Sequence, residues 1–325
     1  MHRIELDAIR GGTEKQGIPD GIFSMPAGMT IRYDQPAADI GDHITGYHVY
    51  AVRRGAAEEQ VDWFLPGTAN ARFVFEADPI EVMIGRRTFS PLPQASLFGP
   101  TSQALRAKTH GGLMVGFGIS ALGWARLMRR SAGDLHNRIG PLALAIGERL
   151  AAQLVDQLAD VLAQPDGEHL VKPLLDEMLR SLLTVPHHDE PAIRELINLL
   201  ALDGSADIAV ITERMRVSAH TLRRISVRYF GLPPKLLLRR ARFLRSFMRM
   251  IGDDRYDYAL IDPSYHDVPH FLRDANTFLG MTPRRFLAMN TPFLHASVAA
   301  RAAVLGSATQ ALHDFDLARG LASPD

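Results

Sequence analysis

Residues 208–231 read IAVITERMRVSAHTLRRISVRYFG, and this stretch decides the fold of the C-terminal half of the chain. Residues 208–215 have the apolar spacing of a short helix, and the two residues that follow interrupt it as a turn. Ser218 is a typical N-cap for a second helix, because its hydroxyl accepts a backbone N–H of the first turn. Gly231 can take the positive φ that ends a helix. The pattern predicts a helix-turn-helix unit.

The second helix of this unit has two different faces. Leu222 and Ile225 form an apolar face that belongs in a core. A second helix that enters a major groove presents its first turns to the base edges, where arginine can make two hydrogen bonds to guanine. The residues predicted to contact DNA are Ala219, His220, Thr221, Arg223, Arg224 and Arg228.

A second unit follows the same plan. A helix is predicted to end at residues 258–261, a turn follows, and Asp267 caps another helix over residues 268–279. Proline is tolerated in the first turn of that helix, where a backbone N–H is not needed, and Gly280 closes it. The residues of this unit predicted to contact DNA are Val268, Pro269, His270 and Arg273.

The two units are joined by residues 234–251, which contain no helix breaker after their first residue. As a helix this spacer would span about 27 Å, against about 34 Å between successive major-groove faces on one side of a duplex. Its arginines are either phosphate contacts, which give affinity and salt dependence, or solvated surface charge. They are Arg239, Arg240, Arg242, Arg245 and Arg249.

Charge is unevenly distributed along a chain whose net charge is zero. Residues 209–249 hold ten arginines and one lysine against one glutamate, a net charge of +10, so the rest carries −10. Such asymmetry indicates either a polyanion partner or a solvated basic helix face. Residues 250–295 hold four arginines against six aspartates, a net charge of −2. We therefore expect the second unit to bind DNA weakly or to contact mainly the backbone.

The first 120 residues are predicted to be β-rich. Proline and glycine recur at short spacing, and short apolar or alternating runs lie between them, which is typical of an antiparallel barrel or sandwich. The clearest runs are residues 47–52, 71–75, 80–84 and 113–118.

Beyond Ser120 the pattern becomes helical. Residues 142–164 are predicted as one amphipathic helix, whose apolar stripe serves either the core or a dimer seam. Residues 170–183 are predicted as another helix, and residues 185–191 as a linker.

The predicted fold class is α+β, with four segments in sequence. A β-rich sensor-type domain takes residues 1–120, and a helical extension, suited to dimerisation, takes residues 121–185. An all-α double helix-turn-helix domain takes residues 190–290, and a C-terminal helix and tail take residues 291–325.

The two helical units resemble the AraC/XylS class of bacterial transcription regulators. The most specific match is the segment YHDVPHFLRD at residues 265–274. In the first unit the matching positions are Ser218, Leu222, Arg224, Gly231, Pro234 and Arg242. In the second they are Tyr265, Asp267, His270, Phe271, Arg273, Gly280, Thr282, Pro283 and Phe286.

Residues 65–67, 71–75, 97–101 and 116–118 resemble a β-rich domain found ahead of this module in some members, which implies a cupin-like fold. The resemblance of the helical units implies base contacts by His220, Arg223 and Arg224 and, in the second unit, by Val268, Pro269, His270 and Arg273. His270 has a second interpretation, in which it packs and caps rather than reads a base. The second unit departs from the family pattern, because Ser264 stands where glycine is expected in the turn and residues 275–277 lack the usual aromatic and basic residues.

Several classes of function are disfavoured. The absence of cysteine removes disulfides, thiolate metal sites and cysteine nucleophiles. No apolar run approaches the roughly 18 residues of a membrane span, and an acid occupies the position of a signal peptide's apolar stretch, so we expect a cytoplasmic protein. His43 and His48 lack a tight His-x-His pattern with a glutamate partner. We therefore predict no catalytic residues, no metal and no cofactor.

The sequence thus predicts a DNA-binding transcription regulator whose N-terminal domain binds a small effector or mediates dimerisation. Its expected partners are double-stranded DNA, a small-molecule effector, a second copy in a homodimer, and RNA polymerase if the protein is an activator. The alternative is a cupin-like ligand-binding protein or enzyme to which the basic helical module is accessory.

Overall fold

The computed structural model describes residues 4–55, 59–202, 207–252 and 257–312. The α+β fold class is confirmed, with antiparallel sheets in the N-terminal part and helices in the C-terminal part. The strands are β1 (Met29–Asp34), β2 (Ile44–Val52), β3 (Gln60–Phe64), β4 (Ala69–Phe75), β5 (Glu81–Ile84), β6 (Arg87–Phe89), β7 (Ala95–Phe98), β8 (Leu105–Thr109), β9 (Gly112–Ile119) and β10 (Ile139–Pro141).

Eleven α-helices lie within the described residues. They are α1 (Ala121–Leu127), α2 (Ala143–Ile146), α3 (Glu148–Leu162), α4 (Val171–Leu182), α5 (Glu190–Leu202), α6 (Ile208–Met215), α7 (Ala219–Phe230), α8 (Pro234–Gly252), α9 (Val268–Leu279), α10 (Pro283–Leu287) and α11 (Pro292–Leu305). Among the described residues, none of these helices is long and apolar enough to cross a membrane.

The strands form two antiparallel sheets. One has the order β1-β2-β9-β4-β7-β10 and the other has the order β3-β8-β5-β6. The four strands expected from the sequence are confirmed as β2, β4, β5 and β9. Every residue of β2 is buried, because one face packs against helices and the other faces the interior between the sheets. On the helical side, the Tyr47 hydroxyl donates to Asp176 of α4 at 2.7 Å.

The helical extension differs in one respect from the expectation. Residues 142–164 do not form one helix, since Gly147 takes a φ of 84° and separates α2 from α3. The apolar stripe of α3 is core: Leu154, Leu158 and Leu162 are buried together with strand residues. The helix expected at residues 170–183 is confirmed as α4.

The first helix-turn-helix unit shares a hydrophobic core with the β domain. Leu222 and Ile225 of α7 belong to the same buried cluster as Trp124 of α1 and Phe117 of β9. The second unit is built around a separate hydrophobic cluster, in which aromatic rings from α8 and α9 stack around Phe243 and the Phe286 ring of α10 lies edge-on to Phe247. The expected helix end at residues 258–261 is wrong, because residues 258–260 form a single 3-10 turn and α8 already ends at Gly252.

The C-terminal helix α11 is tied to the β domain at both ends. Asp62 of β3 accepts the backbone N–H groups of Phe293 and Leu294, each at 3.2 Å, and so caps the helix N-terminus. At the other end, Lys15 donates to the carbonyl of Val304 at 2.8 Å. Burial raises the pKa of Asp62 to about 6. The predicted tail beyond residue 312 lies outside the described residues.

Two glycines provide a matched test of the contact between α7 and the β domain. Gly231 and Gly280 close α7 and α9 with φ of 76° and 74°. A Cβ on Gly231 would lie 2.9 Å from Pro100 and 3.1 Å from the carbonyl of Ala132, whereas a Cβ on Gly280 would have no described neighbour within 4 Å.

We expect Gly280→Ala to lower the free energy of unfolding by about 1–2 kcal/mol, the conformational cost of the left-handed region. Gly231→Ala should lower it by a further 1–3 kcal/mol or so, because the added methyl group is overpacked. Urea unfolding of both variants measures the difference. Equal losses would contradict the close approach of α7 to the β domain.

Candidate nucleic-acid interface

The first unit is built by local capping. The Asp207 carboxylate caps α6, and Arg216 ends that helix in the left-handed region with a φ of 53°. The Ser218 hydroxyl then accepts the N–H of Thr221 at 3.1 Å and starts α7. The predicted turn and cap are therefore confirmed. The Thr221 side chain is half-buried and lies 3.0 Å from the Ser218 hydroxyl, so it also supports the cap.

The N-terminal part of α7 is the exposed part. Ala219, His220 and Arg223 are all exposed, while Leu222 and Ile225 on the opposite face are buried. The C-terminal part packs against residues 131–133 of the β domain, where the Ser131 hydroxyl donates to the carbonyl of Val227 at 3.2 Å. The helix thus presents its first turns, which are the part that a groove-binding helix uses.

Arg224 is held by an ion pair that sequence reasoning missed. Its guanidinium makes two hydrogen bonds to Asp189, at 2.9 and 3.1 Å, and the Tyr229 hydroxyl donates to the same carboxylate at 2.7 Å. Hydrogen bonding to Arg224 lowers the pKa of Asp189 to about 2. The Arg224 side chain nevertheless keeps 44% of its surface exposed. It is therefore a partly covered cation and not a core residue.

Arg228 lies further along α7 and is half-buried. Its Nε donates to the Tyr229 hydroxyl at 3.2 Å, and its guanidinium lies 5.7 Å from the Tyr229 ring centroid. Of the six residues predicted to contact DNA in the first unit, Ala219, His220 and Arg223 are exposed and have no side-chain hydrogen bond or ion pair in the described part of the chain.

The second unit also presents the start of its helix. Asp267 caps α9 by accepting the N–H of His270 at 2.7 Å. Pro269 and Arg273 are exposed, and Val268 is half-buried. The His270 ring is half-buried, with Nε2 3.2 Å from Nη2 of Arg242 and its plane edge-on to the Tyr265 ring. These contacts favour a packing role for His270. At its far end, α9 is joined to the β domain by the N–H of Ala104, which donates to the carbonyl of Phe278 at 2.7 Å.

Asp274 pairs with two arginines of the spacer helix α8. It is fully buried, accepts hydrogen bonds from Arg239 at 3.0 and 2.5 Å and from Arg242 at 3.3 Å, and accepts the Tyr265 hydroxyl at 2.9 Å. Nearby on α8, Arg245 pairs with Asp262 at 3.1 Å. These three arginines hold the helices together.

Arg240 is neither a phosphate contact nor a solvated surface charge, which were the two interpretations of the spacer arginines. Its guanidinium is buried and donates to the carbonyls of Gly67 and Thr101 in the β domain, at 3.0 and 2.8 Å. Burial lowers the pKa of Arg240 to about 10. Arg249 is exposed. It is the spacer arginine that, within the described residues, remains suited to a phosphate contact.

Three potential metal ligands lie together before α5. The ligand atoms of His187, His188 and Asp189 lie within 4.8 Å of one another. Both Asp189 oxygens already accept hydrogen bonds from Arg224 or Tyr229, and His187 Nδ1 accepts the N–H of Asp189 at 3.1 Å. Both carboxylate oxygens and one imidazole nitrogen that could ligate a metal are therefore already hydrogen-bonded within the protein.

The fold is similar to solved structures of other proteins. An apo form of ToxT from Vibrio cholerae with one lysine replaced by alanine matches 82% of this chain and 100% of its own, at 11% identity and a TM-score of 0.43. Wild-type ToxT with unsaturated fatty acid bound matches 82% of this chain and 98% of its own, at 10% identity and a TM-score of 0.41.

The AraC-like transcriptional activator CuxR matches 67% of this chain and 86% of its own, at 13% identity and a TM-score of 0.22. No protein-family model and no curated protein sequence matches the chain. At identities and TM-scores this low, function has to be argued from the contacts of this chain.

Two buried carboxylates, Asp274 and Asp189, predict different losses of stability, because the Arg224 partner of Asp189 keeps 44% of its surface exposed. Asp274→Asn leaves two arginines without a carboxylate partner, and we expect the free energy of unfolding to fall by about 3–5 kcal/mol. Asp189→Asn should lower it by only about 1 kcal/mol, because Arg224 can turn to water. Chemical denaturation measures both. A larger loss for Asp189→Asn would contradict this ranking.

The Asp189 pair also has a defined pH dependence. Its pKa is lowered from 3.8 to about 2, so its stabilisation is present above pH 4 and is lost as the pH falls towards 2. We expect the difference in unfolding free energy between the native protein and Asp189→Asn to be constant from pH 7 to 5 and to shrink below pH 4. A difference that stays constant down to pH 3 would contradict the ion pair.

Proposed function

We propose that this protein is a sequence-specific DNA-binding transcription regulator in which α7 reads bases in one major groove. The observation that carries the proposal is the exposure of Ala219, His220 and Arg223 at the start of α7, on a helix-turn-helix whose opposite face is buried. Arg223 can donate two hydrogen bonds to guanine O6 and N7, and His220 lies one turn earlier on the same side. No enzymatic activity is part of the proposal.

Phosphate contacts would come from exposed cations around this helix. Arg214 and Arg216 lie at the turn before α7, and Lys235 lies at the start of α8; all three are exposed. Such contacts fix the position of a protein on the duplex and make its affinity fall steeply with salt. The basic segment seen in the sequence thus contains two kinds of cation. Surface cations are suited to DNA, whereas internal cations pair with Asp189, Asp274 or Asp262 or, in the case of Arg240, donate to backbone carbonyls.

The second unit would bind mainly through the DNA backbone. Arg273 is exposed on α9, and Arg284 and Arg285 are exposed on α10. Helix α8 contacts both recognition helices and has 19 residues, so it is about 28 Å long. That length is close to the distance of about 34 Å between major grooves on one side of the duplex.

Arg224 would contact DNA only after its guanidinium leaves Asp189. A phosphate or a guanine can compete with Asp189 for its guanidinium, because close to half of the side chain faces solvent. In Asp189→Asn the competing charge is gone, so DNA affinity should rise even though the fold is slightly weakened.

The N-terminal domain would supply regulation by binding a small effector. Its two sheets enclose cavities lined by residues of both sheets, and small-molecule sites are typically concave and mainly apolar. Dimerisation through this domain, and a contact with RNA polymerase if the protein activates transcription, belong to the same proposal.

The test uses the full-length chain. A duplex that it binds is first selected from a randomised library, and the affinity for that duplex is then measured by fluorescence anisotropy. We expect Arg223→Ala to weaken binding by about 5- to 150-fold, corresponding to a loss of roughly 1–3 kcal/mol from a base contact. Arg273→Ala should weaken it less and lower the slope of log affinity against log salt by about 1.

Arg86→Ala serves as the matched control, since Arg86 is an exposed arginine on the β domain. Its affinity should equal that of the native protein. Stronger loss from Arg273→Ala than from Arg223→Ala would overturn the assignment of α7 as the reading helix. No binding by the native chain to any selected duplex would overturn the proposed function.

A further inference from the structure

Two buried arginines whose charges are not neutralised lie where the β domain meets α11. Arg72 of β4 has a relative exposure of 8% and Arg301 of α11 has 5%. Among the described residues, neither guanidinium has a carboxylate oxygen within 4.0 Å, unlike the buried Arg32, which pairs with Asp34 at 2.6 Å. A buried charge without a partner is unfavourable, so such charges are normally paired.

Several donor groups of these arginines are also unused. Nε of Arg72, and Nε and Nη2 of Arg301, are buried without a hydrogen-bond partner in the described residues. Arg72 lies against the Phe98 ring, with its guanidinium 4.4 Å from the ring centroid, and Arg301 lies 5.9 Å from the Tyr33 ring centroid. Aromatic faces attract a cation but do not neutralise it.

Among the described residues that line this cavity and the one beside it, Asp62 is the carboxylate, and it is hydrogen-bonded to other groups. Asp62 lines the adjoining cavity, but its oxygens accept the N–H groups of Phe293 and Leu294 and the side-chain amide of Gln60. Burial lowers the pKa of both Arg72 and Arg301, yet arginine starts so high that each stays charged at neutral pH. The two positive charges therefore remain in a space that holds no described counter-ion.

Both arginines line one cavity, between the β domain and α11. Its volume is about 90 Å³, and a second cavity of about 70 Å³ shares Tyr50, Phe64, Arg72 and Phe98 with it. The second cavity has an almost entirely apolar lining that includes Val82, Leu113 and Met114. At roughly 10–15 Å³ for each water-sized group, the two spaces together suit about 11 to 16 non-hydrogen atoms.

We propose that this double cavity binds a small organic carboxylate, whose anionic head lies between Arg72 and Arg301 and whose apolar body lies between the two sheets. A carboxylate fits because a guanidinium donates two parallel hydrogen bonds to its oxygens. The Tyr33 and Tyr50 hydroxyls, which are hydrogen-bonded to each other beside the arginines, offer further donors. An inorganic anion would use the head position but leave the apolar cavity empty.

Calling this ligand an effector rests on the proposed function. The binding itself does not, because it can be measured without DNA. Arg72 belongs to the β domain and Arg301 to α11, so a carboxylate between them would bridge the N-terminal sheet and the C-terminal helix. Bound ligand should therefore raise the thermal stability of the whole chain.

The experiment is thermal unfolding and calorimetric titration of the full-length protein with benzoate and hexanoate, with benzyl alcohol and inorganic phosphate as comparison probes. We expect saturating benzoate or hexanoate to raise Tm by several degrees, and neither benzyl alcohol nor phosphate to match this. In Arg72→Met and in Arg301→Met the dissociation constant should rise at least about tenfold, while Tm without ligand should stay equal or rise because an unpaired buried charge has been removed.

Arg86→Met is the matched control, with the same chemical change on the exposed surface, and should bind as the native protein does. Arg72→Lys and Arg301→Lys keep the charge but lose the paired hydrogen bonds, so they test the site if either methionine variant fails to fold; each should weaken binding. No shift with either carboxylate, an equal shift with benzyl alcohol or phosphate, or binding unchanged by replacing either arginine would overturn the proposal.

DNA binding is measured on the same samples to separate the two proposals. A chain that binds benzoate but no duplex retains the carboxylate site and refutes the proposed regulator. A chain that binds a selected duplex but neither carboxylate retains the regulator and refutes this ligand class.

Discussion

The C-terminal half of this protein depends on pairing the buried and half-buried arginines of α8 with acceptors. Helix α8 is apolar on one side and carries five arginines, and four of them reach acceptors within the protein: Arg239 and Arg242 reach Asp274, Arg245 reaches Asp262, and Arg240 reaches two β-domain carbonyls. Without these acceptors the helix could not pack between the two units, since an unpaired buried charge is strongly destabilising. The same pairs determine which cations are left for an external polyanion.

Hydrogen bonds at their C-terminal ends explain how α7 and α9 are oriented. Both α7 and α9 have their C-terminal ends against the β domain, through Ser131 and Ala104, and both begin at exposed caps. The first turns face away from the protein as a result. Arg240 joins α8 to the loops around Gly67 and Thr101, and α8 contacts both α7 and α9, so the β domain is linked to these two helices through direct contacts.

Local features of the fold were predictable from the sequence. Ser218, Asp267, Gly231 and Gly280 act within one helical turn, so their capping roles follow from residue type and spacing. The long β runs were predictable because their signal, too, lies in the types and spacing of neighbouring residues. The break at Gly147 was not, because an apolar spacing that continues across a glycine gives no sign of its φ.

Long-range pairs were beyond sequence reasoning. Asp189 and Arg224 lie 35 positions apart, and Asp274 and Arg239 also lie 35 apart, so nothing in the local pattern links them. The one available signal was an acidic residue, Asp274, in the middle of a predicted helix, which indicates that a basic helix packs against that position. Arg72 and Arg301 are separated by most of the chain, and only the closure of the sheets around α11 brings them to one cavity.

The most direct measurement of the central claim is site-specific photo-cross-linking from position 220 at the start of α7 to a bound duplex. The account predicts a cross-link to bases in a major groove, lost when unlabelled duplex of the same sequence competes. Cross-linking from position 86 on the β domain, with none from position 220, would contradict it.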